Sequence, residues 1–116
     1  ERGVGVVVEA MTPKLSADGR VQAFVRGVIE RQSEAGVIGA LKAMAEREDL
    51  TSILSSFNFP FVLIHGNTDA LIPVDRAIEI KLAIPSAVLI ELKNAGHMPM
   101  REFPNETAEG LMLLAI

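Results

Sequence analysis

Two apolar runs of strand length in the second half of the chain constrain its fold more than any other feature. The runs are FPFVLIHG at 59–66 and AVLIEL at 87–92. Neither alternates regularly between apolar and polar residues, which is typical of strands buried on both faces of a parallel sheet. The intervening segment 74–84 lies between Pro73 and Pro85. Because proline favours the start of a helix and ends one that reaches it, this segment is predicted to be a helix. We therefore predict a strand–helix–strand unit whose two strands are parallel neighbours.

The first half of the chain shows helical rather than strand periodicity. Apolar residues of VGVVVEAM at 4–11 recur at helical spacing. Pro13 follows this segment and is expected to end the helix. Ser16 or Asp18 would cap a second helix, and Ser33 would cap a third. This half is therefore predicted to consist of amphipathic helices.

The sheet predicted in this way has too few strands to be complete. A closing helix is expected after Pro104, and a sheet of two strands would leave edges that need another strand. The chain opens in ERGVGVVVEAM and closes in ETAEGLMLLAI, without the cap, Gly or Pro that usually marks a helix end. We expect that both ends were cut from a longer polypeptide.

Composition argues against several classes of function. A net charge of −4 with scattered basic residues does not suit a nucleic-acid surface, which needs clustered Lys and Arg. No apolar run approaches the roughly 18–20 residues of a membrane span, so no membrane association is expected. The chain has no Cys, which rules out disulfides and thiolate metal sites and predicts a reducing, cytoplasmic location.

Each predicted strand leads into a loop that carries one group used in acid–base chemistry. Asp69 lies three residues past Gly66, and His97 follows Gly96. The carboxyl ends of parallel strands share one edge of the sheet, where ligands bind. A carboxylate there can fix the tautomer of an imidazole, which then takes a proton from a nucleophile. Taken alone, Asp69 would be interpreted as a turn residue, and only the pair indicates catalysis.

The two loops together resemble the C-terminal part of the α/β-hydrolase fold family. That family typically has HG-x-x-D-x-x-x-P after one strand and AGH-x-x-x-x-E-x-P after the next. The matching residues here are His65, Gly66, Asp69 and Pro73, then Ala95, Gly96, His97, Glu102 and Pro104. The resemblance implies an α/β fold that holds the last two parallel strands of the family's sheet. It makes Asp69 the triad acid and His97 the triad base, with residues 1–56 derived from the helical cap and 57–116 from the core.

The resemblance places the nucleophile outside this chain. The family carries it in a G-x-S-x-G elbow, and none of the six serines has the flanking glycines. The family's oxyanion-hole loop is also missing from the sequence. The expected function is that of a C-terminal fragment of an esterase or lactonase, with a Ser nucleophile or the Asp of dehalogenase-type relatives, and without a cofactor. Its partners would be a small ester or lactone in the parent, and the N-terminal part of the hydrolase or a second copy.

Several residues near the pair allow two interpretations. Leu71, Ile72 and Met98 flank the catalytic positions and are candidate substrate-binding residues, although core packing explains apolar residues as well. Glu102 would either orient the loop after the histidine or be a solvated carboxylate. The functional alternative is a catalytically inert fragment that acts only through association with another polypeptide or with itself.

A metal site is not expected. His65, Asp69 and His97 are residue types that bind zinc, but their spacing fits no compact metal motif. His65 is therefore interpreted as a structural residue at the end of its strand rather than as a ligand.

Overall fold

The computed structural model describes residues 3–115, and its elements follow the order that the sequence indicates. The helical half contains α1 (Gly5–Leu15), α2 (Gly19–Glu30), α3 (Glu34–Glu46) and a 3-10 helix (Thr51–Ser56). The second half contains β1 (Val62–Gly66), α4 (Val74–Ala83), β2 (Val88–Leu92), α5 (Pro99–Glu102) and α6 (Pro104–Met112).

The two strands form a parallel pair, so the predicted α/β class is confirmed. Val62 lies opposite Val88 and Gly66 lies opposite Leu92, with the residues between them paired in register. Helix α4 connects the strands and contacts both of them. Because the strands run in the same direction, the loops that follow β1 and β2 leave the sheet at the same end.

These two loops cross at very short range where β1 ends. The carbonyl of Ala95 accepts a hydrogen bond from the Thr68 backbone N–H at 2.9 Å and from the Thr68 hydroxyl at 2.8 Å. A Cβ atom placed on Gly66 would lie 2.2 Å from the Ala95 oxygen and 2.3 Å from the Gly96 oxygen. Both distances are far inside van der Waals contact, so glycine alone fits at this position.

Helices pack closely on this small sheet. A Cβ atom on Gly110 of α6 would lie 2.9 Å from Cδ1 of both Ile64 and Ile90, so the helix backbone lies directly against side chains of the two strands. Helix α4 contributes Ala77 and the residue that follows the helix, Ile84, each of them 2% exposed. Close packing of this kind holds the strand ends, and with them the two loops, in a fixed relation.

In the helical half, α1 and α2 pack on each other while α3 lies at the periphery. Val8 and Thr12 of α1 and Val21 and Val25 of α2 are buried. Helix α3, which is described over its whole length, buries none of its residues. The core of this half is therefore the α1–α2 pair.

The helix caps agree with the sequence. The Asp18 carboxylate accepts the backbone N–H of Arg20 at 2.8 Å, so of the two candidate caps for α2 it is Asp18, not Ser16, that has this role. The Ser33 hydroxyl accepts the N–H of Gly36 at 3.0 Å and caps α3, as predicted. Ser16 takes part in a different contact, which belongs to the site described below.

Pro13 does not end α1, and the prediction that it would was wrong. The helix continues to Leu15 with the proline inside its last turn. Proline removes one backbone hydrogen bond, the one that would reach the carbonyl of Glu9. Because Glu9 is exposed, water can satisfy that carbonyl, and the helix tolerates the loss.

Residues 3–115 contain no helix that is both long enough and apolar enough to cross a lipid bilayer. The division into a cap-derived segment, 1–56, and a core segment, 57–116, stays a prediction.

The close approach of the loops predicts that Gly66→Ala destabilises the chain. The added methyl group must push the 95–96 backbone away, and overpacking of this kind costs about 1–3 kcal/mol of unfolding free energy. Urea denaturation followed by circular dichroism measures the change. Gly39→Ala in α3 is the matched control, because its Cβ would meet no atom within 4 Å and alanine favours a helix by up to about 1 kcal/mol. A Gly66→Ala chain as stable as the unaltered chain would contradict this account of the crossing.

Candidate active site

Asp69 lies in the tight loop between β1 and α4, and the loop itself fixes its carboxylate. Oδ1 accepts the backbone N–H groups of Leu71 and Ile72, both at 2.9 Å, in the manner of an Asx turn. Nε2 of His65 lies 2.8 Å from the Ile72 carbonyl and donates to it in the tautomer that carries the Nε2 proton. The same nitrogen lies 3.4 Å from Asp69 Oδ2. Oδ1 thus binds two backbone N–H groups of its own loop, and Oδ2 remains for a partner from another part of the chain.

That second oxygen meets His97 from the loop after β2. The distance from His97 Nδ1 to Asp69 Oδ2 is 2.9 Å, a normal hydrogen-bond distance. The Asp69 side chain is only 4% exposed, whereas that of His97 is 30% exposed. Because Nδ1 is bound to the carboxylate, Nε2 on the far side of the ring is the nitrogen that can exchange a proton with a substrate or nucleophile.

The surroundings of Asp69 hold the pKa of its carboxyl below the ordinary value. Burial by itself would raise the pKa, but hydrogen bonds from the Ile72 N–H, from His97 and from the Leu71 N–H, together with the charge of a protonated His97, outweigh it. The carboxyl is therefore ionised at neutral pH. This is the state that orients an imidazole and stabilises an imidazolium.

Glu102 orients the loop that carries the histidine, so the alternative of a solvated carboxylate was wrong. Both oxygens lie 3.1 Å from the backbone nitrogen of Gly96, and Oε2 lies 3.1 Å from that of Met98. The hydroxyl of Ser16 donates to Oε1 at 2.9 Å. The carboxylate is thus bound to the backbone on each side of His97.

The three candidate substrate-binding residues lie beside the pair. Leu71 and Met98 are half-buried, and Ile72 is 41% exposed. Their backbone N–H groups hold the carboxylates of Asp69 and Glu102, which explains their position without reference to a substrate. That their side chains bind substrate stays a prediction.

Metal binding finds no support in the described part of the chain. Residues 3–115 contain no group of three or more His, Cys, Asp or Glu side chains that could hold a metal ion. Nε2 of His65, the other histidine of the chain, donates to the Ile72 carbonyl of its own loop and lies 3.4 Å from Asp69 Oδ2. Its place at the end of β1 agrees with the structural interpretation made from the sequence.

Sequence reasoning missed the contribution of the corner between α1 and α2. The Leu15 carbonyl accepts the backbone N–H of His97 at 3.1 Å, and Ser16, which is 2% exposed, bonds Glu102. Leu15 and Ser16 lie more than 80 positions before their partners His97 and Glu102, and neither Leu15 nor Ser16 belongs to a motif. A buried serine in a sequence of exposed neighbours is the only signal, and it is visible only once burial is known.

The curated proteins that the chain resembles include esterases and lipases. No protein-family model matches the chain. It is 31% identical to a pimeloyl-(acyl-carrier protein) methyl ester esterase of Yersinia pseudotuberculosis. This alignment of 67 residues covers 58% of this chain and 26% of that protein. It is 32% identical to lipase 1 of Psychrobacter immobilis over an alignment of 62 residues, and that alignment covers 53% of this chain and 20% of that protein. The match thus spans about a quarter or less of the length of these relatives.

Two solved structures match a larger share of the chain. A thermophilic esterase from Thermogutta terrifontis superposes with a TM-score of 0.87 at 27% identity, covering 94% of this chain and 42% of that one. A bromoperoxidase from Bacillus anthracis gives a TM-score of 0.78 at 21% identity, covering 96% of this chain and 43% of that one. The second likeness concerns the fold alone.

The lowered pKa of Asp69 predicts how its contribution to stability depends on pH. A carboxyl whose pKa is lower in the folded than in the unfolded chain stabilises the fold above the unfolded pKa, about 4, and this contribution is lost as the pH falls through the folded pKa. The unfolding free energy of the chain should therefore exceed that of Asp69→Asn by about 1–3 kcal/mol at pH 7. This gap should narrow below pH 4, roughly.

Urea denaturation at a series of pH values measures the gap. Asp75→Asn, at an exposed position in the first turn of α4, is the control, and its gap should stay below about 1 kcal/mol. A gap for Asp69→Asn that remains constant or widens as the pH falls would show that the ionised carboxylate does not stabilise the loop.

Proposed function

This chain belongs, over the part that it covers, to the α/β-hydrolase fold family, and we propose that it is the C-terminal part of an ester hydrolase. Asp69 and His97 are the acid and the base of its Ser-His-Asp triad. The observation that carries the proposal is the 2.9 Å contact between Asp69 Oδ2 and His97 Nδ1, made by a buried acid and a more exposed imidazole at the carboxyl end of two parallel strands. The esterase and lipase relatives support an ester as the substrate class.

The geometry suits a two-step acyl transfer. Nε2 of His97 takes the proton from a serine hydroxyl as its oxygen attacks the ester carbonyl, and the resulting imidazolium gives that proton to the leaving alcohol as the tetrahedral intermediate collapses. A water molecule then loses a proton to the same nitrogen as its oxygen attacks the carbonyl of the acyl-enzyme, and the imidazolium returns that proton to the serine oxygen as the carboxylic acid leaves. Throughout, the ionised carboxylate of Asp69 holds the Nδ1 proton and stabilises the imidazolium.

The remaining parts of the site are contributed from outside this chain. The nucleophile, a Ser or alternatively an Asp, and the oxyanion-hole donors belong to the N-terminal part of the hydrolase. A second copy of the chain is the alternative partner, for association only. We propose a small ester or lactone as the substrate, with Leu71, Ile72 and Met98 lining its acyl or leaving-group side. No cofactor takes part in this chemistry. The cytoplasmic location also stays a prediction, made from the absence of cysteine.

An inert fragment that acts by association is the second candidate function, and exposed apolar side chains favour it. Ile38, Leu41 and Met44 on α3 are 51%, 54% and 54% exposed, and Leu82 on α4 is 75% exposed. Contiguous apolar surface that stays exposed on a folded chain usually marks an interface. The same surface is expected if the chain docks on the rest of a hydrolase, so the two candidates differ in activity rather than in association.

The absence of a nucleophile predicts that the 116-residue chain alone is inactive. A general base without its nucleophile has nothing to activate. The chain should hydrolyse a short-chain activated ester no faster than its own Asp69→Asn, His97→Ala double variant. Slow cleavage by a surface imidazole does not saturate with the ester, and this distinguishes it from turnover at a site. Saturable turnover, with stoichiometric labelling by a serine-directed phosphonate, would show that one of the six serines is a working nucleophile and would contradict the account.

In the full-length parent, the same two substitutions should have a large effect. Removing the acid and base of a working triad typically lowers kcat by several orders of magnitude while the substrate still binds. Steady-state kinetics on the same ester measure kcat and KM separately. A parent enzyme whose kcat falls less than about tenfold in the double variant would exclude the triad roles.

A further inference from the structure

We propose that Glu102 is a positioning residue for His97. Its carboxylate fixes the two peptide groups that flank the histidine and so keeps the imidazole in line with Asp69. The kinetic consequence of this proposal rests on the proposed function. That Glu102 fixes the backbone around His97 is a claim about contacts within the chain, and it does not depend on which reaction the Asp69–His97 pair catalyses.

The three consecutive backbone N–H groups around the histidine all donate to acceptors outside their own tripeptide. Those of Gly96 and Met98 donate to the Glu102 carboxylate, at 3.1 Å each. That of His97 donates to the Leu15 carbonyl, also at 3.1 Å. Hydrogen bonds to an ionised acceptor are about twice as strong as neutral ones. One carboxylate therefore holds the backbone on both sides of the base.

Glu102 is itself held from the helical half of the chain. The Ser16 hydroxyl, in a residue that is 2% exposed, donates to Oε1 at 2.9 Å. One residue earlier on α5, the guanidinium carbon of Arg101 lies 3.4 Å from the centre of the Phe24 ring on α2, a cation–π contact. Because two neighbouring residues of α5 bind α2 and the corner before it, the carboxylate has little freedom to move.

The two acids of the site thus have different tasks. Asp69 binds the imidazole ring at Nδ1, and Glu102 binds the peptide groups from which that ring projects. If the Glu102 carboxylate is lost, the backbone N–H groups of Gly96 and Met98 lose their acceptor and only that of His97, bound to the Leu15 carbonyl, keeps one. The ring can then move away from Asp69. Proton transfer depends on this alignment, whereas substrate binding does not, so the loss should appear in kcat rather than in KM.

Kinetics of the full-length parent test the proposal. Glu102→Ala should lower kcat on an activated ester by about 10–100-fold, since a displacement near 1 Å can cost that much. KM should change by less than about threefold. Glu102→Gln keeps one accepting oxygen and should recover part of kcat. Glu106→Ala, an exposed glutamate in the first turn of α6, is the control and should leave kcat unchanged. Circular dichroism establishes that each variant is folded at the assay temperature.

A second measurement on the same variants does not depend on activity. Solvent exchange of the His97 Nδ1 proton, followed by NMR, should be faster in Glu102→Ala than in the unaltered protein and in Glu106→Ala. Unchanged exchange, or an unchanged kcat in a folded Glu102→Ala enzyme, overturns the proposal. A parent protein without esterase activity overturns the proposed function instead, and the exchange rate alone then decides whether Glu102 positions His97.

Discussion

The arrangement at the end of the sheet depends on the contact between the backbone of β1 at Gly66 and the loop after β2. The carbonyls of Ala95 and Gly96 approach so closely that a Cβ atom on Gly66 would lie 2.2 and 2.3 Å from them. Through this approach Thr68 bonds Ala95 with both its N–H and its hydroxyl. The two loops are therefore one structural unit, and a carboxylate on the first can meet an imidazole on the second.

Charge distribution within this unit follows from where hydrogen-bond donors are available. Asp69 is almost fully buried, a position that an ionised carboxylate tolerates only with compensating donors. Two backbone N–H groups of its own loop and the His97 ring supply them, and they lower the pKa of the carboxyl despite its burial. Glu102 is compensated in the same way by two backbone N–H groups and the Ser16 hydroxyl. Both acids thus act as acceptors that order backbone.

Those features of the fold that depend on local sequence could be predicted. The two apolar runs predicted the strands, and Pro73 and Pro85 on either side of the intervening segment predicted α4. The motif spacing placed Asp69 and His97 at the same end of a parallel pair. The link from Ser16 to Glu102 could not be predicted, because it joins residues 86 positions apart through a corner whose direction depends on how α1 packs on α2. The continuation of α1 past Pro13 depends likewise on the exposure of Glu9, whose carbonyl loses its helical partner.

We propose that Asp69 holds the Nδ1–H of His97 and leaves Nε2 as the base. Nitrogen-15 NMR of the imidazole, with the ring neutral, tests this most directly, because the two ring nitrogens have distinct shifts when they carry a proton and when they do not. We predict that Nδ1 is protonated and Nε2 is not, and that replacement of Asp69 by Asn removes this preference. A His97 ring protonated at Nε2 in the unaltered protein, with Nδ1 bare toward Asp69, would contradict the account.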